Sequence, residues 1–312
     1  MKNKLLSLAS LLAVFNANAI EIGPTGSGVE MSGFIDIYYQ SGDNDAVGVG
    51  QVEVDFDYSS GPISASVDFD LGGNFADPDG LEEAIVTYDF GNGFSVTAGE
   101  MLTYLGFEAY DPINMYQYSS AYADSLAGTG YAHIYDAFAT GVSVDYATEM
   151  FSVGIWSSVG NSADFEYALA YTGLENLTLK AIYADYGNDS IATTGFDGKS
   201  TYWVSYSFGD LLVAAEIAEA FKSTDAGTDL DGSLLMANYA FSDKIGLTLR
   251  YSTTELQTGT AAKAVDEGKI TVSPSYVFND NFSGLLEYSS FDQDGTNAES
   301  EDYFAAEFIY TF

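Results

Sequence analysis

From Val29 to the C-terminus, segments of roughly ten residues alternate apolar positions with polar or small ones. Val52, Val54, Phe56 and Tyr58 alternate with Glu53, Asp55 and Asp57. Ala65, Val67, Phe69 and Leu71 alternate with Ser66, Asp68 and Asp70. Tyr202, Val204, Tyr206 and Phe208 alternate with Trp203, Ser205 and Ser207; Ile245, Leu247, Leu249 and Tyr251 alternate with Thr248 and Arg250. Side chains on a strand point to opposite faces with period two. Each segment therefore has one greasy face and one polar face.

Turn chemistry divides these strands. Seven short connections, at 59–62, 91–93, 148–149, 173–176, 209–210, 242–244 and 279–281, carry the Gly, Asn, Asp, Ser and Pro that tight turns need. Eight longer ones fall near 41–50, 72–80, 101–134, 159–163, 187–198, 223–230, 255–267 and 292–300. Fifteen connections predict sixteen strands, with both termini on the short-turn side. A soluble β-sandwich also alternates. Against it stand the strand length, the alternation of short and long connections, and aromatic residues recurring at strand ends: Tyr58, Tyr88, Phe90, Tyr146, Tyr171, Phe208, Phe241, Tyr276 and Phe278. Such recurrence fits girdles at two membrane interfaces.

The N-terminus points the same way. Lys2 and Lys4, the apolar run Leu5 to Phe15 and the small-x-small triplet Ala17-Asn18-Ala19 read as a secretory leader cut after Ala19. That run is too short to span a bilayer as a helix. Residues 20–312 then form one domain, which must enter a membrane as strands and must close, because open edges cannot face lipid. The expected fold is all-β: a transmembrane antiparallel up-and-down barrel of about sixteen strands, with both termini in the periplasm. Phe304, Ala306, Phe308, Tyr310 and Phe312 share one face of the last strand, as in the terminal assembly signal of outer-membrane barrels.

Charge narrows the function. The chain has 46 acidic residues against nine basic ones, a formal charge of −37. This excludes nucleic-acid binding, which needs a basic footprint. Disorder fails too, with 24 Tyr, 21 Phe and 47% hydrophobic residues. With no cysteine and one histidine, disulfides and cysteine/histidine zinc sites are excluded. The chain has no Gly-x-Ser-x-Gly motif and His133 is its one histidine, so no enzyme is expected.

The stretch Ser32-Gly33-Phe34-Ile35-Asp36-Ile37-Tyr38-Tyr39 resembles the first strand of the OmpL-like β-barrel porin family. Ala98 to Tyr110, then Asn114, Tyr118-Ser119 and Thr140-Gly141-Val142, are similar to that family's segment around its third loop. Glu100 departs from the pattern, as does the absence of a Pro-Glu-Phe-Gly-Gly sequence. The resemblance implies an outer-membrane porin, embedded in outer-membrane lipid; a homotrimer follows only by analogy.

The third long loop, Met101 to His133, is far longer than its neighbours, and long ordered loops usually have a job. It carries Glu108, Asp111 and Asp124, with Tyr104, Phe107, Tyr110, Tyr116, Tyr118 and Tyr122. In porins the corresponding loop folds into the barrel, so Glu108, Tyr110 and Asp111 are expected at a constriction; a loop that caps the mouth from outside is the alternative. The polar strand face offers Asp36, Glu53, Asp55, Asp57, Asp68, Asp70, Asp89, Asp145, Glu166 and Glu287 to the lumen, against three bases, Lys180, Arg250 and Lys269. Those bases either neutralise neighbouring carboxylates, the reading preferred here, or form a basic strip facing an acidic loop. Passive diffusion of small hydrophilic solutes with cation preference is the leading expectation. A sugar-specific channel and a plugged structural or adhesive barrel are the alternatives. No cofactor is expected. Asp77-Pro78-Asp79-Gly80, Asp229-Leu230-Asp231-Gly232 and Asp292-Gln293-Asp294-Gly295 carry hard oxygen ligands for loop Ca²⁺, although Asp-Gly is also plain turn chemistry.

Overall fold

The period-two segments become strands, and each apolar face turns outward. In a computed structural model describing residues 19–41, 46–72, 80–108, 111–122, 134–135, 138–158, 164–186, 196–222, 229–257, 263–295 and 300–312, sixteen strands close into one antiparallel barrel. A short strand β1 (Ile20–Glu21) pairs with the first of them, β2 (Val29–Gln40). Around the ring follow β3 (Ala46–Ser60), β4 (Ile63–Asp70), β5 (Glu83–Asp89), β6 (Phe94–Leu102), β7 (Phe138–Ala147), β8 (Phe151–Ser158), β9 (Phe165–Tyr171) and β10 (Leu177–Asp185). The ring continues with β11 (Gly198–Phe208), β12 (Leu211–Phe221), β13 (Asp229–Ser242), β14 (Ile245–Gln257), β15 (Lys263–Asn279), β16 (Phe282–Gly295) and β17 (Ser300–Thr311). Each pairs with its sequence neighbour, and β17 pairs back onto β2. Among the described residues the one helical element is a 3-10 turn, Pro112–Asn114, and no helix is long and apolar enough to cross a membrane.

Phe312 completes the seam: its N–H donates to the Gly33 carbonyl at 3.1 Å, and the Gly33 N–H donates to its carbonyl at 3.2 Å. Gly33 must be glycine, because a Cβ there would lie 2.3 Å from the Glu53 carbonyl oxygen and 2.8 Å from the Phe312 ring.

Several strands run further than the turn residues suggested. β3 begins at Ala46 inside the expected 41–50 loop, and β14, β15 and β16 extend into the expected 255–267 and 292–300 loops. Ladder hydrogen bonding and alternation carry these polar residues as rim strand. Asp229–Gly232 therefore opens β13 and Asp292–Gly295 ends β16, so neither is a loop; residues 77–79 and the leader, 1–18, lie outside the described residues. A bulge in β3 opposite Asp36 inserts one extra residue between Val49 and Val52, which turns both Gly50 and Gln51 inward.

The aromatic residues predicted for two girdles all fall at the short-turn end. There Phe94 and Tyr146 lie 4.5 Å apart, Tyr239 and Phe241 4.8 Å, and Tyr276 and Phe278 4.9 Å. The long-loop end has a second set that the alternation did not single out, including Tyr183–Phe221 and Tyr288–Phe304.

The inner wall has two sectors of different chemistry. On β8–β14 many inward positions are apolar: Trp156, Ala168, Ala170, Ile182, Ala184, Ala214, Ala218, Ala220, Leu230, Leu234, Met236 and Leu256 are all buried. On β2–β5 the inward positions are mostly carboxylates and small polar residues. The third loop packs on the first sector, with Tyr104 and Leu105 in one apolar cluster and Ala121, Tyr122 and Ile134 in another.

Candidate functional site

The described residues of the loop between β6 and β7 are fastened to the inner wall at several points. The Tyr104 N–H donates to Glu166 on β9 (2.9 Å) and its hydroxyl to Asp145 on β7 (2.8 Å). The Gly106 N–H donates to the Thr201 hydroxyl on β11 at 3.2 Å. Phe107 meets the Trp203 ring edge-on at 5.5 Å. The Tyr122 and Tyr135 hydroxyls both donate to Glu216 on β12, the former at 2.9 Å.

Among the described loop residues, the segment 117–121 is bonded most densely. Arg250 on β14 donates to Glu108 (2.5 Å), to the Ser119 carbonyl (2.7 Å) and hydroxyl (3.0 Å), and to the Ser120 carbonyl (2.9 Å). Lys269 on β15 also donates to the Ser120 carbonyl, and Ser252 to that of Ala121. The Tyr118 and Ser119 N–H groups donate to Glu287 on β16 at 2.8 and 3.1 Å. Buried backbone groups must find partners, and here wall side chains supply what a neighbouring strand would.

Across the β17–β2 seam from this anchorage, on β3 to β5, lies the acidic sector. Asp55 and Asp68 face each other across β3 and β4, as do Glu53 and Asp70. Asp57, Glu82 and Glu83 extend the group. The loop's Asp111 joins it: carboxylate oxygens of Glu53, Glu82 and Asp111 lie within 4.8 Å of one another, a spacing of hard ligands that suits a cation. Gln51 donates to both Glu53 (2.8 Å) and Glu82 (3.1 Å). No Lys or Arg occurs anywhere from residue 5 to 179, so β2–β9 bring no base to this wall.

A match to the family model described as "Phosphate-selective porin O and P" covers residues 44–207, over half of the chain. The chain belongs to that family. Its fold is shared with solved outer-membrane proteins. OmpF of Salmonella typhi, solved in complex with daunomycin, is 16% identical with a TM-score of 0.70, covering 94% of this chain and 100% of its own. OmpT of Vibrio cholerae, an outer membrane protein folded in vitro, gives 16%, 0.68, 95% and 100%. The outer membrane channel DcaP of Acinetobacter baumannii gives 11%, 0.67, 94% and 100%. No curated protein matches the sequence. The chain is thus a multi-pass outer-membrane porin barrel.

Within this porin the structure sorts the residues expected at the pore. Asp55, Asp57 and Asp68 stand together on the acidic wall. Asp36 is buried near the seam beside Gly50, where a Cβ would lie 1.9 Å from its Oδ2. Asp145, Glu166 and Glu287 accept bonds from the loop, and Glu108 from Arg250. Lys180 lies with its ammonium 5.8 Å from the Trp203 ring centre, on the apolar side. Tyr110, Asp124 and His133 lie outside the described residues.

Asp89, on the same face as Thr87, ends β5 and caps the turn by accepting the Gly91 N–H at 2.7 Å. One expectation needs correction: the described residues hold more than three inward bases, since Lys199 is fully buried on β11, where it alternates with Thr201 and Trp203. Glu216 and Glu307 were also overlooked, although each alternates with outward apolar residues in its own strand. Glu82 had no such signal, because it precedes β5.

Asp111 predicts a pH response. Burial, and next the nearby Asp55 carboxylate, push its pKa up to about 6, while a hydrogen bond from Asn114 acts the other way. A raised carboxylate is neutral below that value. Attraction of cations to this group should therefore weaken as pH falls through about 6, and docking of the loop should loosen as pH rises through it. Reversal potentials from pH 5 to 8, taken on the parent and on Asp111→Asn, check this: the variant should lack the step near 6.

Proposed function

We propose that the protein is a diffusion channel for small hydrophilic solutes that prefers cations, with the third loop at its narrowest point. It is a channel without catalysis. Both termini are periplasmic and residues 1–19 act as a cleaved leader. The observation that carries the preference is the division of charge. The acidic sector gathers Glu53, Asp55, Asp57, Asp68, Glu82, Glu83 and Asp111 and contains no base, whereas Arg250 and Lys269 donate to the loop. Carboxylates lining a narrow passage attract cations and repel anions. On Ser32 to Tyr39 and Ala98 to Tyr110 we place the chain among OmpL-like porins. A trimer is our reading of its assembly; one solved form of Vibrio cholerae OmpT, 16% identical, is a trimer.

The family's description raises phosphate as a rival solute. Against it, the matched span 44–207 holds two bases, Lys180 and Lys199. Reversal potentials across a KCl gradient separate the readings. The expected sign is cationic and should fade as salt rises, since screening shortens from about 10 Å at 0.1 M to about 3 Å at 1 M. Anion selectivity, or block by added inorganic phosphate, would sink the cation reading.

A further inference from the structure

We propose that Arg250 is the positioning residue of the constriction: it latches the third loop to the wall at 117–121 and does not itself meet permeating ions. This rests on the reading that the loop sets the narrowest point. A guanidinium has five N–H donors in a fixed fork. Four of the hydrogen bonds made by Arg250 go to the loop, to Glu108, to Ser119 twice and to Ser120, and one goes to the wall, to Thr271 at 3.3 Å. Its Nε has no partner among the described residues, so its bonds to the loop outnumber the one to the wall.

Glu108 is the loop's half of the latch. Besides Arg250 it accepts from Gln117 (2.7 Å) and the Ala121 N–H (2.7 Å), thereby folding the loop back on itself. The Arg250 side chain is 0% exposed and that of Glu108 4%. An ion in the water path touches neither, so the one arginine of the chain acts through the loop it holds. Lys269 and Glu287 flank it from β15 and β16, the first donating to a carbonyl and the second accepting N–H groups. Lysine at 250 would offer one ammonium where the fork reaches three residues of the loop.

Single-channel recording on Arg250→Gln, Arg250→Lys and the deletion of residues 110–128 tests the proposal. Arg250→Gln should raise conductance toward that of the deletion, with a noisier open level, and Arg250→Lys should fall between it and the parent. The protein has no cysteine, so a pair placed at Ala121 and Ser252, which touch through a hydrogen bond, is chemically unambiguous. Bridging that pair in the Arg250→Gln background, by oxidation or a short dithiol linker, should return conductance to the parent value, and reduction should release it. Were Arg250 an ion contact, Arg250→Gln would move the reversal potential toward cations at unchanged conductance, and bridging would restore nothing; either result overturns the latch. Glu108→Gln, on the loop and outside the barrel wall, makes the same test if the Arg250 variants do not assemble. Unchanged conductance on loop deletion overturns the constriction itself, whereas a rise on deletion with none in Arg250→Gln or Glu108→Gln overturns the latch alone.

Discussion

Removing residues 110–128 should raise single-channel conductance at least about two-fold, because pore radius sets flow, and should weaken cation preference at the same time. The two effects have one cause. The loop fills space over the β8–β14 wall and contributes Asp111 to the acidic group. Its 117–121 segment also absorbs the donors of Arg250 and Lys269. Deletion therefore widens the passage, removes a carboxylate from it and exposes two bases that were spent on loop carbonyls. It also leaves Leu230, Leu234 and Met236 without part of their cover, so the barrel should unfold at lower temperature in detergent. Planar-bilayer recording and heat-dependent gel migration measure the three changes together. A folded variant with parent conductance would place the loop out of the conducting path.

The barrel was legible in the sequence because it rests on a local rule. Period two decides which face of Val52 to Tyr58 or of Ile245 to Tyr251 is apolar, and the bilayer demands closure whatever the register. Strand ends were less legible. Asp229–Gly232 has turn composition, yet it pairs in register with Glu219, Ala218 and Thr254, because a neighbouring strand offers ladder bonds that composition cannot foresee. The carboxylates of Asp55, Asp57 and Asp68 could be assigned to the lumen from alternation alone. What could not be assigned is the partner of each. Asp145 and Asp68 look alike in the sequence, yet Asp145 receives the Tyr104 hydroxyl from a loop 41 positions away while Asp68 faces Asp55. The apolar inner sector left a trace in the sequence. Leu211 to Phe221, apart from Glu216 and Glu219, and Leu234 to Ala237 are apolar on both faces, which in a barrel means that something covers the inside.

That sorting of carboxylates identifies where selectivity should break. Replacing Glu53, Asp55, Asp57 and Asp68 together by Gln or Asn should remove about half of the cation preference measured at 0.1 M salt, where screening acts over about 10 Å, and far less at 1 M. These four share one patch with Glu82, Glu83 and Asp111 and no base. Neutralising Asp145, Glu166 and Glu287 instead removes three carboxylates against four, but those groups are acceptors for the Tyr104 hydroxyl and for the Tyr104, Tyr118 and Ser119 N–H groups. That second set should alter conductance and thermal stability through the loop more than it alters the sign or size of the reversal potential. The comparison separates position from total charge. Equal loss of selectivity from both sets would mean that the overall field of the acidic barrel governs permeation and that the patch around Asp55 has no special place in it.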